Sequence, residues 1–222
     1  MTIIQGLIFD FDGLLVDTET PALESWQRVY AMYGQSLSLE LFQHALGTNH
    51  GFDAFVHLQT LLGRPLDRAT ILAQRQAIKA ELSASQPLLP GVESILAQAH
   101  ALGLPCAIAS SSDRAWVEGW LAHHQIREEF ACVRTANDVM RTKPAPDVFL
   151  SAAACLGCIP SRCLVFEDSA NGILAAQAAG MRCIVVPGAI TSQLPLPTGD
   201  MRLAALNALS LQTILARLAA GN

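Results

Sequence analysis

Five short stretches of this chain are continuously apolar, and four of them stop abruptly against charged or polar residues. Leu7-Ile8-Phe9 breaks into Asp10, Pro105-Cys106-Ala107-Ile108-Ala109 into Ser110, Ala131-Cys132-Val133 into a polar loop, and Cys163-Leu164-Val165-Phe166 into Glu167. The fifth, Cys183-Ile184-Val185-Val186, ends at Pro187-Gly188. None alternates apolar with polar, so each predicts a strand covered on both faces, as in a parallel sheet. Between them the spacing becomes helical: Val92, Ile95, Leu96, Ala99 and Leu102 form one stripe ended by Gly103, and an alanine-rich helix stops at Gly180. Strands separated by helices predict an α/β fold, a doubly wound parallel sheet with right-handed crossovers.

One segment departs from this alternation. After Thr18 no strand pattern returns until about residue 104. Pro21 suits a first helical turn, Leu23, Trp26, Tyr30 and Tyr33 share a face, and Gly34 ends it. Phe52, Phe55, Gln59 and Leu62 repeat the spacing before Gly63, and Asp67 is placed to cap a helix carrying Ile71, Arg75, Ile78 and Leu82. The expected organisation is therefore a core of residues 1–18 and 85–222, interrupted by a helical domain over 19–84. Loops inserted just after a strand that ends in carboxylates tend to carry function.

Composition narrows the function. With 51% hydrophobic and 15% charged residues, the 222-residue chain can bury a large core and has no long disordered tail. A net charge of −5 argues against a nucleic-acid partner. The N-terminus has no basic leader and no apolar run is long enough to span a bilayer, so a cytoplasmic protein without membrane contact is expected. The six cysteines lie mostly in apolar segments, and Cys155-Leu156-Gly157-Cys158, despite its CxxC spacing, reads as core packing.

The strand ends carry the chemistry. Asp10 and Asp12 at i and i+2 are expected to point the same way, and paired carboxylates call for a cation or a shared proton. Mg²⁺ would serve, leaving room for phosphate oxygens, while Gly13 allows a sharp turn. Ser110 and Ser111, at the next strand end, can donate to a phosphate or cap a helix. Lys143, one of two lysines, is fixed by Pro144 and Pro146 as a point charge suited to a phosphate and an aspartate. Glu167 and Asp168 can complete a cation site.

Asp10-Phe11-Asp12-Gly13, continued by Leu14-Leu15-Val16-Asp17-Thr18-Glu19, resembles the nucleophile motif of the haloacid dehalogenase-like hydrolases, and Ser110, Lys143 and Glu167-Asp168 follow in that family's order. The resemblance covers nearly the whole chain. It implies a Rossmann-like core with a helical cap, and phosphoryl chemistry in which Asp10 is the covalent nucleophile and Asp12 the acid and base. The resemblance also implies catalytic roles for Ser110 and Lys143 and a Mg²⁺ held by Asp10, the carbonyl of Asp12, Asp168 and Glu167, the last directly or through water.

Within the family, Asp12 separates this chain from the dehalogenases. Phosphonatases use a cap lysine near the substrate loop, whereas Lys79 is expected to lie away from Gly47-Thr48-Asn49-His50. The closest subgroup resembles sugar-phosphate phosphatases and β-phosphoglucomutases. The mutase's cap histidine, arginine and lysine fall here at Ala22, His50 and Gln76, which favours water as the phosphoryl acceptor. The expected function is a phosphatase for a small phosphorylated metabolite, with a mutase and a non-catalytic binding protein as alternatives. Glu19, Asn49, His50, Arg75 and Ser111 are the candidate substrate contacts. A monomer is expected, with a dimer left open.

Overall fold

The computed structural model describes residues 4–48 and 51–220. Strand β1 (Gly6–Phe9) leads into four helices, α1 (Glu19–Met32), α2 (Leu39–Phe42), α3 (Ala54–Leu62) and α4 (Arg68–Ser83). The alternation then resumes with α5 (Val92–Ala101), β2 (Cys106–Ala109), α6 (Arg114–His123), β3 (Cys132–Arg134) and α7 (Asp147–Cys155). β4 (Cys163–Glu167), α8 (Ala170–Ala178), β5 (Arg182–Val185), β6 (Met201–Arg202) and α9 (Leu211–Ala220) complete the chain.

The strands form one parallel sheet in the order β3-β2-β1-β4-β5-β6. Strand side chains alternate between two cores. Leu7, Phe9, Ile108, Leu164, Phe166 and Ile184 pack with α5, α6 and α9, whereas Ile8, Ala107, Ala109, Val165 and Val185 pack with α7 and α8. Both faces are buried, which is why the strands read as unbroken apolar runs. The order reverses between β1 and β4, and in doubly wound sheets the crevice at such a switch point is where ligands bind.

The inserted helices form the helical cap and have a core of their own, built from Trp26, Val29, Tyr30, Phe42, Phe55, Leu58 and Ile71. Tyr30 Oη donates to the carbonyl of Ala54 at 2.7 Å, tying α1 to α3. Asp67 caps α4, accepting from Ala69 N at 3.2 Å.

Two expectations are corrected. The five apolar runs are joined in the sheet by a sixth strand, β6, which pairs Met201 with Ile184 and Arg202 with Val185; two residues at a sheet edge leave no apolar run to recognise. Cys155 is not core packing: it stands exposed at the end of α7 and forms a disulfide with Cys132 of β3. Helix-on-sheet packing brings the two together, a pairing with no local signal. Among the described residues, no helix is long and apolar enough to cross a membrane.

Candidate active site

β1 delivers Asp10 to the switch point. The Asp10 amide donates to the Phe166 carbonyl at 3.0 Å, so pairing with β4 continues one residue past the strand and places Asp10 beside Glu167 and Asp168. The chain then turns on Gly13, whose amide donates to Val16 O at 2.9 Å. Gly13 has φ +79°, and a Cβ there would lie 2.4 Å from Asp168 Oδ2. Backbone conformation and close approach both require glycine.

Lys143, fully buried, donates to Asp10 Oδ1 and, at 2.7 Å, to Glu167 Oε1. The other oxygen of Glu167 accepts from Ser169 N at 2.7 Å and from Ser169 Oγ at 3.1 Å. Asp168 Oδ2 accepts from Thr191 at 3.1 Å, whereas its Oδ1 is buried without a partner among the described residues. One oxygen from each of Asp10, Glu167 and Asp168 can be chosen so that all three lie within 4.8 Å of one another.

Among the described residues, three buried carboxylates thus cluster together, and the Lys143 ammonium pairs with two of them. Burial, with Glu167 and Asp12 nearby, pushes Asp10 up to about 8 against the pull of Lys143. Asp168 is pushed well above its usual range by burial and then by Glu167 and Asp10. Burial alone would lower Lys143, but Asp10 and Glu167 more than reverse this and hold it above its ordinary value. Excess buried negative charge next to an unpartnered carboxylate oxygen fits a hard divalent cation.

Asp12 faces the same cavity but binds different partners. Its Oδ1 accepts from Thr18 Oγ1 at 2.7 Å and from Trp116 Nε1 at 2.9 Å. Its Oδ2 accepts from Ser112 Oγ at 2.6 Å and from Ser110 Oγ at 3.3 Å. Asp10 and Asp12 thus line one cavity but are held by different donors, Lys143 for the first and the Thr18, Ser110, Ser112 and Trp116 side chains for the second. Ser110 Oγ also accepts from Ser112 N at 3.0 Å.

A cavity of about 650 Å³ separates this sheet edge from the cap, lined by Asp10, Asp12, Ser110, Ser111, Glu19 and Arg75 together with Trp26, Gln76, Lys79 and Trp116. Burial and then Asp12 push Glu19 up to about 8, against Lys79. Arg75 donates through Nε to Ser25 at 3.1 Å and lies over the Trp26 ring. Ser111 donates to the carbonyl of Gly47 at 3.0 Å, joining the core to the cap loop. Asn49 and His50 lie outside the described residues. Lys79 is a correction: α4 crosses above the site and carries its ammonium to within 3.9 Å of the Trp116 ring centroid, in the same cavity as Gly47 and Thr48. Sequence reasoning also missed Thr18, Ser112 and Trp116. A hydroxyl following Ser110-Ser111 was a legible signal for Ser112, whereas the two others had none.

The haloacid dehalogenase-like hydrolase family model matches residues 7–186. The YhcW protein of Bacillus subtilis (strain 168) is 39% identical over 99% of this chain and 100% of its own length. The fructose-1-phosphate phosphatase YqaB of Escherichia coli (strain K12) is 35% identical over 82% of this chain and 95% of its own. Among solved structures, CbbY from Rhodobacter sphaeroides in complex with phosphate superposes with a TM-score of 0.74 at 28% identity, covering 95% of this chain and 98% of that one.

Proposed function

The chain belongs to the haloacid dehalogenase-like hydrolase family, and from that premise we propose that it is a Mg²⁺-dependent phosphatase hydrolysing small phosphate monoesters, sugar phosphates above all, through an aspartyl-phosphate. The observation that carries this reading is the buried set of Asp10, Lys143, Glu167 and Asp168, with the orphan oxygen of Asp168 beside the nucleophile. The phosphatase name of a relative and the phosphate held by a structural neighbour support it.

Asp10 attacks phosphorus, and the bond from phosphorus to the leaving oxygen breaks as Asp12 gives that oxygen its proton. Water then attacks the phosphorus, Asp12 takes the water's proton, and Asp10 is released with inorganic phosphate. Lys143 screens Asp10 and the incoming phosphoryl oxygens, and Glu167 fixes Lys143. Ser110 rotates its hydroxyl toward a phosphoryl oxygen once the substrate arrives. Mg²⁺ would be held by Asp10, Asp168 and the Asp12 carbonyl with Glu167 in support, and would neutralise charge on the phosphoryl oxygens.

Residues 19–84 act as a cap that excludes water and contacts the leaving group, closing on a core of residues 1–18 and 85–222. Trp26 offers a flat apolar wall to a sugar ring, and Glu19, Arg75 and Gln76 offer polar contacts to its hydroxyls. A panel of phosphorylated sugars and polyols, assayed for released phosphate and for glucose 6-phosphate formed from β-glucose 1-phosphate, tests the reading. Phosphate release is expected with Mg²⁺, is lost in excess chelator, and is lost in Asp10→Asn. Efficient isomerisation without phosphate release would make the protein a mutase, and no turnover anywhere would make it a binding protein.

A further inference from the structure

Four donors converge on Asp12, and one of them lies outside the hydroxyl set. Trp116 sits in the first turn of α6, where its backbone amide is capped by Asp113 at 2.9 Å. Its indole Nε1 donates to Asp12 Oδ1 at 2.9 Å. Lys79 of the cap lies over the ring with Nζ 3.9 Å from the centroid, and Trp120 packs edge-on with a centroid separation of 5.8 Å. The indole is therefore held by the core on one edge and by the cap on its face.

A hydroxyl can donate or accept, so Thr18, Ser110 and Ser112 can reverse around the Asp12 carboxyl as a proton comes and goes. An indole N–H can only donate. It keeps Oδ1 an acceptor throughout and leaves Oδ2, on the Ser110 side, as the oxygen that exchanges a proton. We infer that Trp116 is a positioning residue: its N–H sets the rotation of Asp12 so that Oδ2 faces the leaving oxygen, and Lys79 seats the ring from the closed cap. This role rests on Asp12 being the acid of the phosphatase reaction.

Single-turnover release of the leaving group, with Mg²⁺ present, isolates proton donation. An alkyl phosphate needs a proton on its leaving oxygen, whereas p-nitrophenyl phosphate loses a phenolate that needs none. Trp116→Phe keeps a ring beneath Lys79 and removes the N–H. It is expected to slow release from the alkyl phosphate by about tenfold, the scale of a lost hydrogen bond to a charged group. Release of p-nitrophenolate is expected to change by less than about twofold, since no acid catalysis is forfeited. Lys79→Met keeps the N–H and shifts the alkyl-to-aryl ratio in the same direction by a smaller factor.

Equal slowing with both substrates, or an unchanged alkyl rate, overturns the assignment, and an unchanged ratio in Lys79→Met overturns the link to the cap. If Trp116→Phe melts well below the wild type, Trp116→β-(3-benzothienyl)alanine, an isosteric ring without the N–H, takes its place with the same expectations. Failure of the phosphatase reading itself is distinct: the wild type then releases phosphate from neither compound.

Discussion

Gly172 decides how closely α8 can approach Glu167. A Cβ at this helical position would fall 1.6 Å from Glu167 Oε1 and 1.9 Å from its Cδ. Glu167 cannot step aside, because it is fully buried and its oxygens are engaged by Lys143 and Ser169. Alanine would gain about 1 kcal/mol of helix propensity. Against this stand about 1–3 kcal/mol of overpacking and the disturbance of a buried ion pair, whose breaking costs about 3–5 kcal/mol. Gly172→Ala is therefore expected to be less stable than the wild type in denaturant melts. Its kcat should fall by about tenfold or more, as Lys143 loses its alignment on Asp10. A variant with wild-type kcat would show that Glu167 does not hold Lys143 for the reaction.

Among the elements, the cap loop before residue 49 is hydrogen-bonded directly to the core. Asn171 Nδ2 donates to the Leu46 carbonyl at 2.8 Å and Ser111 Oγ to the Gly47 carbonyl at 3.0 Å. Gly47 has φ +66°, and a Cβ on it would lie 2.2 Å from Ser169 Oγ, a hydroxyl already shared by Glu167 and the Gly172 amide. Gly47→Ala is expected to hold the cap off the core, because both its backbone conformation and its contact with α8 are disallowed. The expected result is kcat/KM lower by about tenfold, with a thermal midpoint within a few degrees of the wild type, since lid closure and global stability are separate quantities. Asn171→Ala removes one hydrogen bond, worth about 0.5–1.5 kcal/mol, and should have the smaller effect. Steady-state kinetics on both variants checks the order. A Gly47→Ala enzyme as active as the wild type would mean that this contact is not part of closure.

For the whole molecule, the acidic site couples stability to pH and to metal. Asp10 and Glu19 are raised to about 8 and Asp168 is raised well above its usual range, burial being the largest cause in each. Between about pH 4, where such acids ionise in an unfolded chain, and about 8, the folded protein keeps protons that the unfolded chain has released. Their contribution to stability is thus full below the unfolded values and is lost as pH rises through the folded ones. Without metal, the thermal midpoint is expected to fall steadily from pH 5.5 to 8.5. Mg²⁺ at a hundredfold excess over its Kd should add about 2.7 kcal/mol, or roughly 5–10 °C for a chain of this size, and one fixed Mg²⁺ concentration should add more at pH 8 than at pH 6, where protons compete for the carboxylates. Differential scanning fluorimetry with chelator and with Mg²⁺ measures both. A chelated midpoint that is flat or rises with pH would remove the excess buried charge from the account.

Asp10, Ser110, Glu167 and Asp168 were legible because in a parallel sheet every strand delivers its C-terminal residue to the same edge, so a polar residue ending an apolar run is already placed, whereas Lys143, in the loop between β3 and α7, was marked only by its rarity and its prolines. The two-faced burial of the strands was legible for the same local reason: their runs do not alternate. Trp116 and Lys79 carry no such mark. Each lies on a helix whose outward face depends on how that helix docks, and the cap's angle over the sheet is set by contacts such as Ser111 with Gly47 that join distant parts of the chain. The Cys132–Cys155 pairing and the β6 edge likewise exist only once the layers are assembled. Local pattern determined the strand ends and the chemistry they carry. Tertiary packing alone decided which donors surround Asp12 and which cap residues face it, because those contacts are made between elements and are encoded within neither.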